Sequence, residues 1–189
     1  MHQTYQNTVW WSRFEILEQV KEGAKVLDIG CGNGYLATLL ADVKKAKVTC
    51  VEILDEHEED IETDDVLYDG INLPFDDRSF DIVILSYVLH HSNLPHDLLL
   101  EANRVCKGRV IVYEDEVPLA DQFVGHMHEL GTGWQYDANP IENSKPPKEW
   151  GKLFLETGFD IVQVKSQWQL GSLRDAVQKV VFVLTPKHK

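Results

Sequence analysis

A chain of 189 residues, 43% hydrophobic and 26% charged, has room for one ordinary core and too little length for two. Thirty-one acids against 18 bases give a formal charge of -13, and such a surface repels nucleic-acid phosphate and anionic lipid, so neither nucleic acid nor a membrane is an expected partner. The three cysteines, Cys31, Cys50 and Cys106, include no Cys-x-x-Cys pair, which argues against a disulfide framework or a zinc knuckle and for a reducing compartment. The opening MHQTYQNTVWWSRF lacks the charged start and apolar core of a signal peptide. No run approaches the roughly 18 apolar residues of a membrane span, and a cytoplasmic protein is expected.

Strand-length apolar runs alternate with helical patterns along the chain, the mark of a parallel sheet covered on both faces. Residues 10–21 carry apolar side chains at helical spacing, with Trp10 and Trp11 as packing residues, and 24–29 (AKVLDI) follows as the first strand. A helix over 35–43 leads to the second strand at 46–52, and residues 52–69 then hold ten acids and no base, which reads as a solvated loop. A short strand at 66–68 precedes the runs 80–86 (FDIVILS) and 109–114 (RVIVYE), apolar enough to be central. Between those two lies a helix over 95–106, with Leu98, Ala102 and Val105 on one face, Pro95 in its first turn and Asn93 as its cap.

From 116 to 148 the chain carries Pro118, Pro140, Pro146 and Pro147 without sustained periodicity, which suggests a substrate-facing insertion in a single domain spanning 1–189. Its Phe123, His126, Met127, His128, Trp134 and Tyr136 suit the wall of an apolar pocket, with a lid that orders on binding as the expected behaviour. Beyond it, Val162, Val164 and Trp168 alternate with Gln163, Lys165 and Gln167, and 180–184 follows, an expected antiparallel edge pair.

The most informative segment is Val26-Leu27-Asp28-Ile29-Gly30-Cys31-Gly32-Asn33-Gly34, a strand running into glycines and then a helix at Tyr35. Glycines let a ligand touch the backbone, and N–H groups at a helix start favour an anionic group. A nicotinamide dinucleotide fingerprint needs a third glycine where Tyr35 stands. Glu52 ends the second strand about twenty residues beyond the glycines, either as a plain strand end or as a carboxylate able to accept from a ligand's hydroxyls. Asp69 before Gly70 is either a ligand contact or a turn former.

VLDIGCGNG resembles the first motif of class I S-adenosylmethionine-dependent methyltransferases, and LPFDDRSFDIVILSYVLHH is similar to the fourth-strand region of their small-molecule branch, grouped with the ubiquinone-biosynthesis methyltransferases. The resemblance covers about Lys25 to Glu114. It implies a Rossmann-like α/β fold, a mainly parallel seven-stranded sheet with an antiparallel C-terminal edge and helices on both faces. It further implies S-adenosylmethionine as cofactor, held by Asp28, Gly30, Cys31, Gly32, Asn33, Gly34, Glu52, Asp69, Gly70 and Ser86, and a small-molecule acceptor. Two departures stand out. Glu52 and Asp69 leave little room for the intervening helix, and Cys106-Lys107-Gly108 replaces the usual proline-glycine-glycine turn.

Methyl transfer from a sulfonium needs alignment and exclusion of water, while a general base is optional. The candidate catalytic residues are His90, His91, Glu114 and Asp115, at the ends of the fourth and fifth strands. The two histidines could equally be cap or packing residues. His126-x-His128 is too weak a pattern to predict a metal, and none is expected. Arg13 reads as a surface ion pair with a cofactor carboxylate as the alternative. Beside a small-molecule methyltransferase stand three other readings: a protein or RNA methyltransferase, a non-catalytic cofactor-binding regulatory or scaffold subunit, and a metal-dependent hydrolase built on His126 and His128.

Overall fold

The computed structural model describes residues 13–53, 64–116, 143–168 and 178–187. Its first strand shows why the sheet is central. In β1 (Lys25–Ile29) the residues Val26, Leu27 and Ile29 are fully enclosed although they point to alternate faces, as a parallel strand covered by helices on both sides requires. Around it stand β2 (Lys47–Glu52), β3 (Asp64–Leu67), β4 (Phe80–Ser86), β5 (Cys106–Glu116), β6 (Phe159–Trp168) and β7 (Gln178–Pro186). The order is β3-β2-β1-β4-β5-β7-β6, with the first five strands parallel and β7 antiparallel to both β5 and β6. The expected fold class is therefore the observed one, and β4 lies in the middle.

Helices fill both faces. Residues 13–19 form the described part of α1, followed by α2 (Tyr35–Lys44), α3 (Pro95–Val105) and α4 (Pro147–Glu156). One core joins Leu27, Val83, Leu85 and Val112 to Leu98 and Ala102 of α3 and to Trp150 and Phe154 of α4. The other joins Val26, Ile84, Ile111 and Tyr113 to Ile16 and Leu40. Strand order reverses between β1 and β4, and in such sheets the crevice beyond the carboxyl ends at that point receives ligands.

Several expectations change. Asn93 does not cap α3: the N-cap position is Leu94, without a side-chain cap, and Ser92 Oγ accepts its N–H at 3.2 Å. The region assigned to an insertion ends in the start of a helix, because Pro147 opens α4 and buries Trp150 and Phe154 one turn apart. The apolar set of β6 is not its buried set, since Val162 and Val164 are 57% and 50% exposed while Lys165 pairs with Glu15 of α1. A register shift between Ile161 and Gln163 turns the following side chains over. The contracted Cys106-Lys107-Gly108 segment is another irregularity, where pairing jumps from Phe80–Cys106 to Ile82–Arg109 and β5 starts earlier than expected.

Candidate functional site

The turn after β1 is built on three left-handed glycines, Gly30 (φ 67°), Gly32 (φ 56°) and Gly34 (φ 69°). Gly30 N–H donates to the Val51 carbonyl at 2.8 Å, and a Cβ on Gly30 would stand 2.5 Å from Val88 Cγ2. Gly34 is the N-cap of α2 and provides no side-chain cap, while Asn33 Oδ1 accepts the Tyr35 N–H at 3.3 Å. Beneath the turn, Asp28 is 1% exposed and neither of its carboxylate oxygens has a hydrogen-bond partner among the described residues. Burial above all, and then the charge of Glu52, pushes its pKa up to about 7. The half-buried Cys31 contacts the buried Cys50 thiol, whose hydrogen bond raises the Cys31 pKa more than burial does.

Glu52 reaches back over the same turn, with Oε1 accepting the Gly32 N–H at 2.7 Å and Oε2 accepting the Ile53 N–H at 3.1 Å. Asp69 behaves as a turn former: its carboxylate accepts the Ile71 and Asn72 backbone N–H groups at 2.9 and 2.6 Å and the Asn72 amide at 2.6 Å. Gly70 follows at φ 87°. Ser86 closes β4, half-buried, opposite Tyr113. Arg13 has no carboxylate partner among the described residues and instead lies over Tyr35, 4.0 Å from the ring centroid, at the start of α2.

The catalytic candidates gather beyond β4 and β5. His90 is 8% exposed and Glu114 1%. Glu114 Oε2 meets His90 Nδ1, and Oε1 accepts the Leu89 N–H at 2.8 Å. The His91 ring lies 4.1 Å from that of His90, and burial, then the neighbouring His90, lowers the His91 pKa to about 4 against an upward pull from Asp115. Asp115 pairs with Lys179 of β7 at 2.5 Å. Tyr87, at φ 61°, turns the chain out of β4 and packs its ring 4.8 Å from that of Tyr113.

Tyr87 and Lys179 were not read from sequence. The signal for Lys179 was a lysine embedded in the apolar run QKVVFVL, whose significance needs the pairing of β5 with β7. Trp10, Trp11, Phe123, His126, Met127, His128, Trp134 and Tyr136 lie outside the described residues, as does the segment between Glu52 and Asp69 over 54–63.

Comparison with known proteins fits this geometry. A family model described as a methyltransferase domain matches residues 10–164. The uncharacterized methyltransferase YcgJ of Bacillus subtilis is 31% identical over 144 residues, 69% of this chain and 54% of that protein, so the chain spans about half its length. A demethylmenaquinone methyltransferase of Thermotoga maritima is 27% identical over 183 residues, covering 82% of this chain and 78% of its own. Among solved structures, YcgJ superposes with a TM-score of 0.71 at 17% identity, over 94% of this chain and 99% of that one. A complex of the Haloferax volcanii Trm112 methyltransferase activator with a putative methyltransferase gives 0.72 at 19% identity, over 97% and 92%. These last two likenesses speak to the fold alone.

Proposed function

Because the chain belongs to the methyltransferase domain family, we propose that it transfers a methyl group from S-adenosylmethionine to a small-molecule acceptor at the carboxyl edge of β1, β4 and β5, within one domain whose substrate-side segment runs over about 116–148. The observation that carries this reading is Asp28, a buried carboxyl without a hydrogen bond among the described residues, beneath three left-handed glycines. Such a group fits a ligand bearing positive charge, and the turn fits one that needs close approach to the backbone. The acidic surface and the likeness to demethylmenaquinone methyltransferases favour a small molecule over RNA.

Bound S-adenosylmethionine supplies an electrophilic methyl group on a sulfonium. The chain's own residues do the rest. Glu52 would accept from the ribose hydroxyls in exchange for its bond to the Gly32 N–H, and Arg13 on Tyr35 would offer a guanidinium to the methionine carboxylate. Asp69 supports its own turn, which favours the turn-forming role over contact with adenine.

With Glu114 as carboxylate, His90 carries its proton on Nδ1 and leaves Nε2 to act as base. His90 Nε2 would take the proton that the acceptor atom gives up on methylation. Glu114 stabilises the imidazolium that forms. This buried pair favours an enzyme over a scaffold subunit. Calorimetry with S-adenosylhomocysteine, followed by turnover with a metabolite pool, tests the reading. Micromolar binding and product formation are expected, and a folded protein that binds no S-adenosylhomocysteine would overturn it.

A further inference from the structure

Lys179 is 4% exposed and stands in β7 directly opposite Asp115 of β5. Its Nζ is 2.5 Å from Asp115 Oδ1 and 4.8 Å from the centroid of the Tyr87 ring. A lysine buried to this degree is costly unless its charge is matched, and its location beside the transfer site calls for a reason.

The reason lies in two consecutive carboxylates on one strand. Glu114 and Asp115 leave opposite faces of β5, Glu114 toward His90 and Asp115 toward Lys179. His91 lies against His90 and within the field of Asp115. The groups around His91 among the described residues are His90 beside it, Asp115 from β5, Glu114 through His90, Lys179 through Asp115, and Tyr87 at the exit of β4. An unmatched Asp115 would attract a proton onto His91 and set one imidazolium against another 4.1 Å away. Lys179, paired with Asp115, offsets part of that pull.

We infer that Lys179 is a positioning residue for the methyl transfer: by offsetting the charge of Asp115 it helps burial and His90 keep His91 uncharged, so that the acceptor's proton goes to the His90–Glu114 pair. This rests on the base role of His90 proposed above. The inference reaches a residue outside the resembling segment, and it makes the antiparallel strand β7 part of the acid–base arrangement.

Titration of the histidine ring signals by NMR tests it on the full chain, with His90→Asn and His91→Gln for assignment. In the unmodified protein His91 should remain neutral down to about pH 5. Lys179→Met should raise its midpoint by about one pH unit or more, and Lys179→Arg, which restores the cation, should return it. The double variant Asp115→Asn/Lys179→Met removes both charges and should leave His91 where it began.

An unmoved His91 midpoint in folded Lys179→Met overturns the inference, as does a raised midpoint in either Lys179→Arg or the double variant. Should Lys179→Met not fold, Lys179→Gln, which also removes the cation but keeps a polar side chain, takes its place with the same expected and overturning results. S-adenosylhomocysteine calorimetry on the same samples tests the methyltransferase reading separately, because the histidine titration needs no cofactor.

Discussion

Asp28 keeps its carboxyl group in a place where water cannot solvate it and no donor among the described residues meets it, and its proton is therefore shared between folding and binding. Its pKa of about 7 lies above the ordinary carboxylate range. Between those values the folded chain holds a proton that the unfolded chain has lost, so the stability this residue retains at low pH is lost as pH rises through about 7. A cationic group beside Asp28 needs the carboxylate form. Affinity for S-adenosylhomocysteine, whose ammonium group is positive, should rise between about pH 6 and 8 with net proton release, up to about tenfold per pH unit below the pKa. Calorimetry in buffers of different ionisation enthalpy measures that release, and Asp28→Asn should abolish it. Glu52→Ala should weaken the same binding by about 1–3 kcal/mol, the scale of a lost charge-assisted hydrogen bond, in a protein that remains folded. These residues were legible in the sequence because one short strand-to-helix segment and a strand end carry them. Lys179 was not, because only the pairing of β5 with β7 shows that an isolated lysine in an apolar run faces Asp115.

The elements show a similar division. Core strands and the face of α3 could be read from periodicity, since Leu98, Ala102 and Val105 are all buried. The face of β6 could not, because a register shift is a property of two strands and leaves no mark in the spacing of one. Gly108 is the residue that permits the bulge between β4 and β5: a Cβ there would stand 2.3 Å from the Asp81 carbonyl oxygen. Gly108→Ala should cost about 1–3 kcal/mol, read as a lower denaturant midpoint with the slope unchanged. Arg104 ties α3 to the segment before β4, donating to the Leu73 and Phe75 carbonyls at 2.9 and 2.7 Å and pairing with Glu101 and Asp77. Arg104→Ala should lower stability by about 1.5–3 kcal/mol, the range for hydrogen bonds to a charged group. Faster amide exchange at Leu73, whose N–H is held by Glu101 at 3.0 Å, would locate the loss.

At the scale of the molecule, the candidate site exists because the sheet changes direction. The turn after β1 and the exit of β4 face each other where strand order reverses, and Val88 fills the volume that Gly30 leaves empty. No helix among the described residues is long and apolar enough to cross a membrane. Interlocking at Gly30 has a consequence for anyone recombining relatives of this protein. The glycine turn and the Val88–His91 loop form a key and its lock. A chimera whose parents differ at position 30 or 88 would meet either a void or a collision of methyl groups, even when each piece is sound in its own parent. For such parents, crossover points placed between residues 30 and 88 should therefore yield fewer folded, cofactor-binding chimeras than points placed after β5.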